Sequence, residues 1–261
     1  MNVAAGGRNR GTSDQYFTPI TPSGWAFSVW GLIFFLQAIG VVWAAIPFGY
    51  GRDGGLKERV VTALALPWPL GWLFQCLWQF SFLARSKVGM WFGLLFLIGA
   101  FASMAWAALR LKTRFTPVPR SWHGTLTHWA FWVPTSVNAA WLSAATIVGA
   151  VVVGVAHGAG VTPLRWVGIA LVALVTALAA AVAGWKPDIA WPATLVWALA
   201  GVFAAHRGDV AVAIAAMVCL VVCVLATVGA SVLVFRGRQA AAAARAGAPV
   251  SAPPAGGAAA V

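Results

Sequence analysis

Acidic side chains are the scarcest feature of this 261-residue chain: five Asp and Glu stand against 17 Lys and Arg, and charged residues make up only 8%. A soluble domain carries about 25% charged residues, so there is too little charge here to clothe a water-soluble globule. Polar low-complexity sequence is also missing from most of the chain. With 61% of residues hydrophobic and a mean hydropathy of +0.86, disorder of the whole chain is excluded. Cysteine is sparse, and Cys76, Cys219 and Cys223 all sit inside apolar runs. They form no disulfide framework and read as small buried hydrophobes. The two tyrosines, Tyr16 and Tyr50, lack the flanking residues of the proposed sterol pattern. The Gly-x-Ser-x-Gly, His-Glu-x-x-His and phosphate-loop motifs are absent, and with them the usual signatures of an enzyme.

What remains is a multi-pass membrane protein. Seven windows of 18 or more residues lack any Asp, Glu, Lys or Arg: 15–51, 60–84, 88–109, 121–164, 166–185, 189–206 and 210–235. A charge at the bilayer centre costs at least about 2.5–3.5 kcal/mol, so each window is a candidate span. The spans are expected at Trp25 to Ile46, Leu64 to Ala84, Gly89 to Leu111, Trp129 to Val153, Leu164 to Ala183, Ile189 to Ala205 and Val210 to Phe235. The polar and aromatic stretch Ser121 to His128 is expected to lie at the interface ahead of the fourth span. Residues 1–18 read as a flexible N-terminal segment, 19–237 as the transmembrane helical domain, and the Ala/Gly/Pro-rich 238–261 as a disordered tail.

The basic residues support a count of seven. With seven crossings, six of them (Arg8, Arg10, Arg85, Lys87, Arg165, Arg207) share one side. The other eleven (Arg52, Lys57, Arg59, Arg110, Lys112, Arg114, Arg120, Lys186, Arg236, Arg238, Arg245) share the opposite side. Removing the crossing at 189–205 erases the bias. Because basic loops favour the cytoplasmic side, the N-terminus is expected on the non-cytoplasmic face. The formal charge of +12 then addresses anionic lipid headgroups, not nucleic acid.

Tryptophan is abundant, with 16 residues. Trp25, Trp43, Trp91, Trp122, Trp166 and Trp185 fall near span ends, as an aromatic belt does. Trp30, Trp78, Trp106, Trp141 and Trp197 lie deeper, where an indole needs a hydrogen-bond partner or a flat surface to stack on. Intramembrane hydrogen-bonding residues are few: Gln37, Gln75, Gln79, Ser136, Asn138, Ser143 and Thr146. The spacing of Trp68, Trp72, Gln75 and Gln79 puts them on one helical face, turned toward the bundle. They serve either as interhelical glue or as the polar points of a binding cavity. No acid or base is expected mid-span. His123, His128, His157 and His206 lie near span ends and read as interfacial, and no metal site is expected.

Pro22-Ser23-Gly24-Trp25-Ala26-Phe27-Ser28-Val29-Trp30 resembles the opening of the tryptophan-rich sensory protein family, which includes the translocator (peripheral benzodiazepine receptor) proteins. Gln75-Cys76-Leu77-Trp78-Gln79-Phe80 is similar to that family's Asn-x-x-Trp-Ser pattern. Pro134 with Trp141-Leu142-Ser143-Ala144-Ala145-Thr146, and Asp188-Ile189-Ala190-Trp191, resemble segments of a longer branch of relatives. The resemblance implies an all-α integral membrane protein: a bundle of about seven transmembrane helices with a five-helix translocator-like core. It also implies a pocket for a flat, tetrapyrrole-like ligand such as a porphyrin. Trp25, Phe27, Trp30, Gln75, Trp78, Asn138 and Trp141 would line that pocket, and the loop 47–59 would cover it. The function it implies is sensing, scavenging or transport of that ligand without catalysis and without a resident cofactor. The alternative is a non-catalytic structural subunit of a membrane complex. The expected partners are membrane lipids and a small hydrophobic ligand, with homo-oligomerisation left open.

Overall fold

A computed structural model describes residues 11, 15–115 and 118–246. Most of the N-terminal segment and the tail from 247 onward lie outside the described residues. Regular structure among the described residues is helical throughout. A 3-10 turn, Gly24–Ser28, leads into α1 (Val29–Ala45). There follow α2 (Leu56–Leu64), α3 (Pro67–Leu83), α4 (Lys87–Arg114), α5 (Trp122–Ala156), α6 (Val161–Trp185), α7 (Ala190–Ala205) and α8 (Val210–Ala246).

Local chemistry sets these boundaries. Pro67 opens α3, where its missing N–H costs nothing and its fixed φ suits a first turn. Ser86 and Ser121 cap α4 and α5 by accepting from the N–H groups of Gly89 and Gly124, satisfying donors that a helix start leaves open. Residues 122–128, expected ahead of the fourth span, form the first turns of α5 and continue without a break into it, with His123, Gly124 and Thr127 buried. At the other end of the chain α8 continues to Ala246, past the boundary expected at 238, because the alanine run is the best available helix former.

Among the described residues, six helical segments are long and apolar enough to cross a membrane: Gly24–Ala45, Leu56–Leu83, Lys87–Arg114, Trp122–Ala156, Val161–Trp185 and Val210–Ala240. The seventh expected span is α7, apolar but only 16 residues long. Its two ends are held at opposite ends of the bundle. Asp188, just ahead of α7, pairs with Lys112 near the C-terminal end of α4. Beyond α7, His206 Nε2 donates to the carbonyl of Thr21 at 3.0 Å, ahead of α1. On that same side, the Tyr16 hydroxyl reaches the carbonyl of Arg85 in the turn before α4. On the opposite side, Arg120 donates to the carbonyl of Arg238. These contacts group the loops as a seven-crossing chain requires.

The core draws buried residues from every helix, with the largest share from α5. α4 packs along α3 and α5, while α8 covers α6 and α7. Toward α5, α1 approaches backbone to backbone; toward α3, it does not run alongside and is bridged mainly by side chains. That wider seam holds the tryptophans of interest.

Candidate functional site between α1, α3 and α5

Three contacts fix the register of α1 against α5. Trp43 Nε1 donates to Thr127 Oγ1 at 3.1 Å; a Cβ on Gly40 would meet the carbonyl oxygen of Ala130 at 2.5 Å; and Trp30 stands edge-on to Trp141 at 6.1 Å. The helices are therefore antiparallel, with Ile33 level with Asn138. α3 has a matching register. Trp72 Nε1 donates to Gln37 Oε1 at 3.1 Å, Trp68 Nε1 to Thr135 Oγ1 at 3.0 Å, and Trp30 stacks on Trp78 at 6.0 Å. Gln75 thus lies between the Trp72 and Trp78 bridges, in the same layer as Ile33 and Asn138.

The seam between α1 and α3 carries a run of near-parallel rings. Phe34 stacks on Trp30 at 5.6 Å and 24°, Trp30 on Trp78 at 23°, and Trp78 on Phe82 at 5.7 Å and 28°. Trp141 closes the inner side, perpendicular to Trp30 and to Phe27. Behind the rings lie polar atoms with no hydrogen-bond partner among the described residues: both amide atoms of Asn138, Gln75 Oε1, Gln37 Nε2 and Trp141 Nε1. Asn138 and Trp141 are fully buried, and Gln75 is 8% exposed.

Six of the seven residues expected at a pocket thus come together. Trp30, Gln75, Trp78, Asn138 and Trp141 face one layer, and Phe27 borders it from an exposed position. Trp25 does not join them; it is exposed and packs edge-on against Trp197 of α7 at 4.8 Å. Trp197 in turn donates its N–H to the carbonyl of Ala26.

Three other expectations change. Trp43 is no belt anchor: it is 6% exposed and lies under Lys57, whose ammonium sits 4.2 Å from its ring and 4.1 Å from that of Tyr50. Lys57 also donates to the carbonyls of Ile46 and Phe48. These contacts, with Phe48 stacked on Trp122, fold the loop 46–55 over the Trp43 end of α1. That end is about 20 Å along the axis from Trp30, so the loop does not cover the tryptophan seam. Cys76 is exposed rather than buried, whereas Cys219 and Cys223 are buried as free thiols.

A buried ion pair escaped the sequence reading. Lys112 Nζ lies 2.5 Å from Asp188 Oδ2, with side chains 9% and 7% exposed. Asp188 also accepts from Ser136 Oγ at 2.7 Å and from the N–H groups of Ala190 and Trp191. One carboxylate therefore caps α7 and ties it to α4 and α5. The signal was present: an acid in an acid-poor chain, two residues ahead of an apolar helix, is a helix-start signature. Among the described residues, no three His, Cys, Asp or Glu side chains come together as metal ligands do.

A helical bundle with this apolar exterior defines an integral multi-pass membrane protein. Within that class the chain belongs to the TSPO-like protein family, whose model matches residues 2–229. The family is non-catalytic. No curated protein and no solved structure matches the chain.

Proposed function

We propose that this protein binds a small, planar, hydrophobic ligand of tetrapyrrole type in the seam between α1, α3 and α5, as a sensor, scavenger or transporter. The observation that carries this reading is the run of near-parallel rings from Phe34 through Trp30 and Trp78 to Phe82, backed by buried amides that lack partners. A flat aromatic ligand offers a wide face to indoles and a few polar edges to amides. Inserting it between Trp30 and Trp78 requires two stacking gaps of about 3.5 Å each. The rings must therefore part, and helices bridged by side chains can do that without breaking backbone packing. Membrane lipids surround the exposed apolar faces, including those of α8.

Titration of the purified full-length protein with protoporphyrin in detergent tests the reading. Saturable quenching of indole fluorescence is expected, with affinity lowered about tenfold or more in Trp30→Ala and Trp141→Ala. Saturable quenching that is unchanged in both variants would place the ligand elsewhere.

A further inference from the structure

We propose that Gln75, Asn138 and the indole N–H of Trp141 form a recognition edge for an uncharged donor–acceptor group of the ligand, leaving any carboxylates of that ligand outside the bundle. This rests on the planar-ligand reading above and specifies its chemistry.

Side-chain amides inside a membrane bundle commonly serve as glue between helices. Gln37 does so, accepting from Trp72. Gln75 and Asn138 do not. Gln75 turns its N–H back to the carbonyl of Gly71 at 2.9 Å within its own helix, which leaves Oε1 free of partners, and Asn138 bonds to nothing at either end of its amide. Both are more than nine-tenths buried, where an unmatched polar group is costly. Trp141 lies one turn beyond Asn138 and brings a fourth unmatched atom. Together they offer N–H donors (Asn138 Nδ2, Trp141 Nε1) and carbonyl acceptors (Gln75 Oε1, Asn138 Oδ1) in one layer of the bundle.

That set is electrically neutral. The buried ion pair Lys112–Asp188 reaches α5 through Ser136, and Asn138, two residues on, points about 200° away around the helix. The lysine is also already neutralised by its aspartate. A ligand carboxylate beside Gln75 and Asn138 would be a buried charge with no counter-ion, which folded proteins avoid. A lactam edge, with an N–H next to a carbonyl as on the end rings of an open-chain tetrapyrrole, matches the set group for group.

Two probes separate the possibilities: biliverdin IX, an open-chain tetrapyrrole with lactam end rings, and its dimethyl ester, titrated into the full-length protein and read by indole quenching. The ester is expected to bind within about twofold of the free acid. Asn138→Leu and Gln75→Met, which keep volume and remove the amides, are expected to weaken both probes about five- to tenfold, with far-UV circular dichroism unchanged. Should Asn138→Leu fail to fold, Gln75→Met decides. Loss of the ester with retention of the acid would show that a cation reads the carboxylates, and would overturn this proposal while leaving the planar-ligand reading intact. Undiminished affinity for both probes in the folded variants would overturn it too. Failure of both probes to bind a wild-type chain that binds protoporphyrin would overturn this proposal alone; failure of protoporphyrin as well would overturn the planar-ligand reading with it.

Discussion

Gly40 shows how a single missing side chain sets helix spacing. A Cβ there would lie 2.5 Å from the carbonyl oxygen of Ala130 and 2.8 Å from the ring of Trp68, so α1 can rest on α5 only because the position is bare. Gly40→Ala is expected to destabilise by about 1–3 kcal/mol, the usual cost of overpacking, seen as a lower melting temperature in detergent. Gly31, on the same helix, would meet nothing within 4 Å; Gly31→Ala should be neutral or slightly stabilising through helix propensity. His206 offers a second test at this scale. Burial lowers its pKa below the ordinary 6.5, against the opposing pull of its bond to Thr21 and of Asp209. The unfolded chain therefore binds the proton more readily than the folded one. The stability from a neutral His206 is complete above about pH 6.5 and is lost as the pH falls below it. Melting temperature should fall between pH 7.5 and 5, and the fall should be smaller in His206→Gln; equal falls would remove His206 as its source.

At the scale of elements, Asp188 joins three helices through one carboxylate. Removing one partner of a buried ion pair typically costs about 3–5 kcal/mol, because the other charge stays buried, while replacing both with apolar residues is often close to neutral. Asp188→Leu and Lys112→Met should each lower thermal stability markedly, and the double variant should recover much of the loss. Additive losses would show that the two residues act separately. This pair also marks where the sequence stops being legible. The apolar windows delimit α1, α4 and α6 well because charge exclusion acts on each helix alone. The spacing of Trp68, Trp72 and Gln75 gives the inward face of α3 for the same local reason. Lys112 and Asp188 are far apart in the chain, and only the packing of both α4 and α7 on α5 tells that they meet. Trp43 misled in the same way. Its place near a span end says belt, but the left-handed turn through Gly49, Gly51, Asp53, Gly54 and Gly55 brings Lys57 back over its ring. The layer of Trp30, Gln75 and Asn138 was legible only as residue types on separate helices; their shared level depends on register between helices.

For the molecule as a whole, the decisive question is whether α7 crosses. Its 16 residues rise about 24 Å, short of the roughly 30 Å of hydrocarbon, so the shortfall must be met by the segments on either side. Those segments are suited to it. Asp188 is neutralised inside the bundle by Lys112, so the chain enters α7 without exposing a charge to lipid, and His206 is buried against Thr21 at the exit. A crossing α7 places Lys186 and Gly237 on the basic side and Gly208 on the other, and the excess of basic residues assigns the basic side to the cytoplasm. The test uses single cysteines at these positions (Lys186→Cys, Gly208→Cys, Gly237→Cys) in a chain whose native cysteines are replaced by alanine. In intact cells a membrane-impermeant thiol reagent should label only the cysteine at 208, and those at 186 and 237 should react after permeabilisation. If 186 and 208 label alike, α7 turns back within the membrane, the count falls to six, and the charge bias that orients the protein disappears with it.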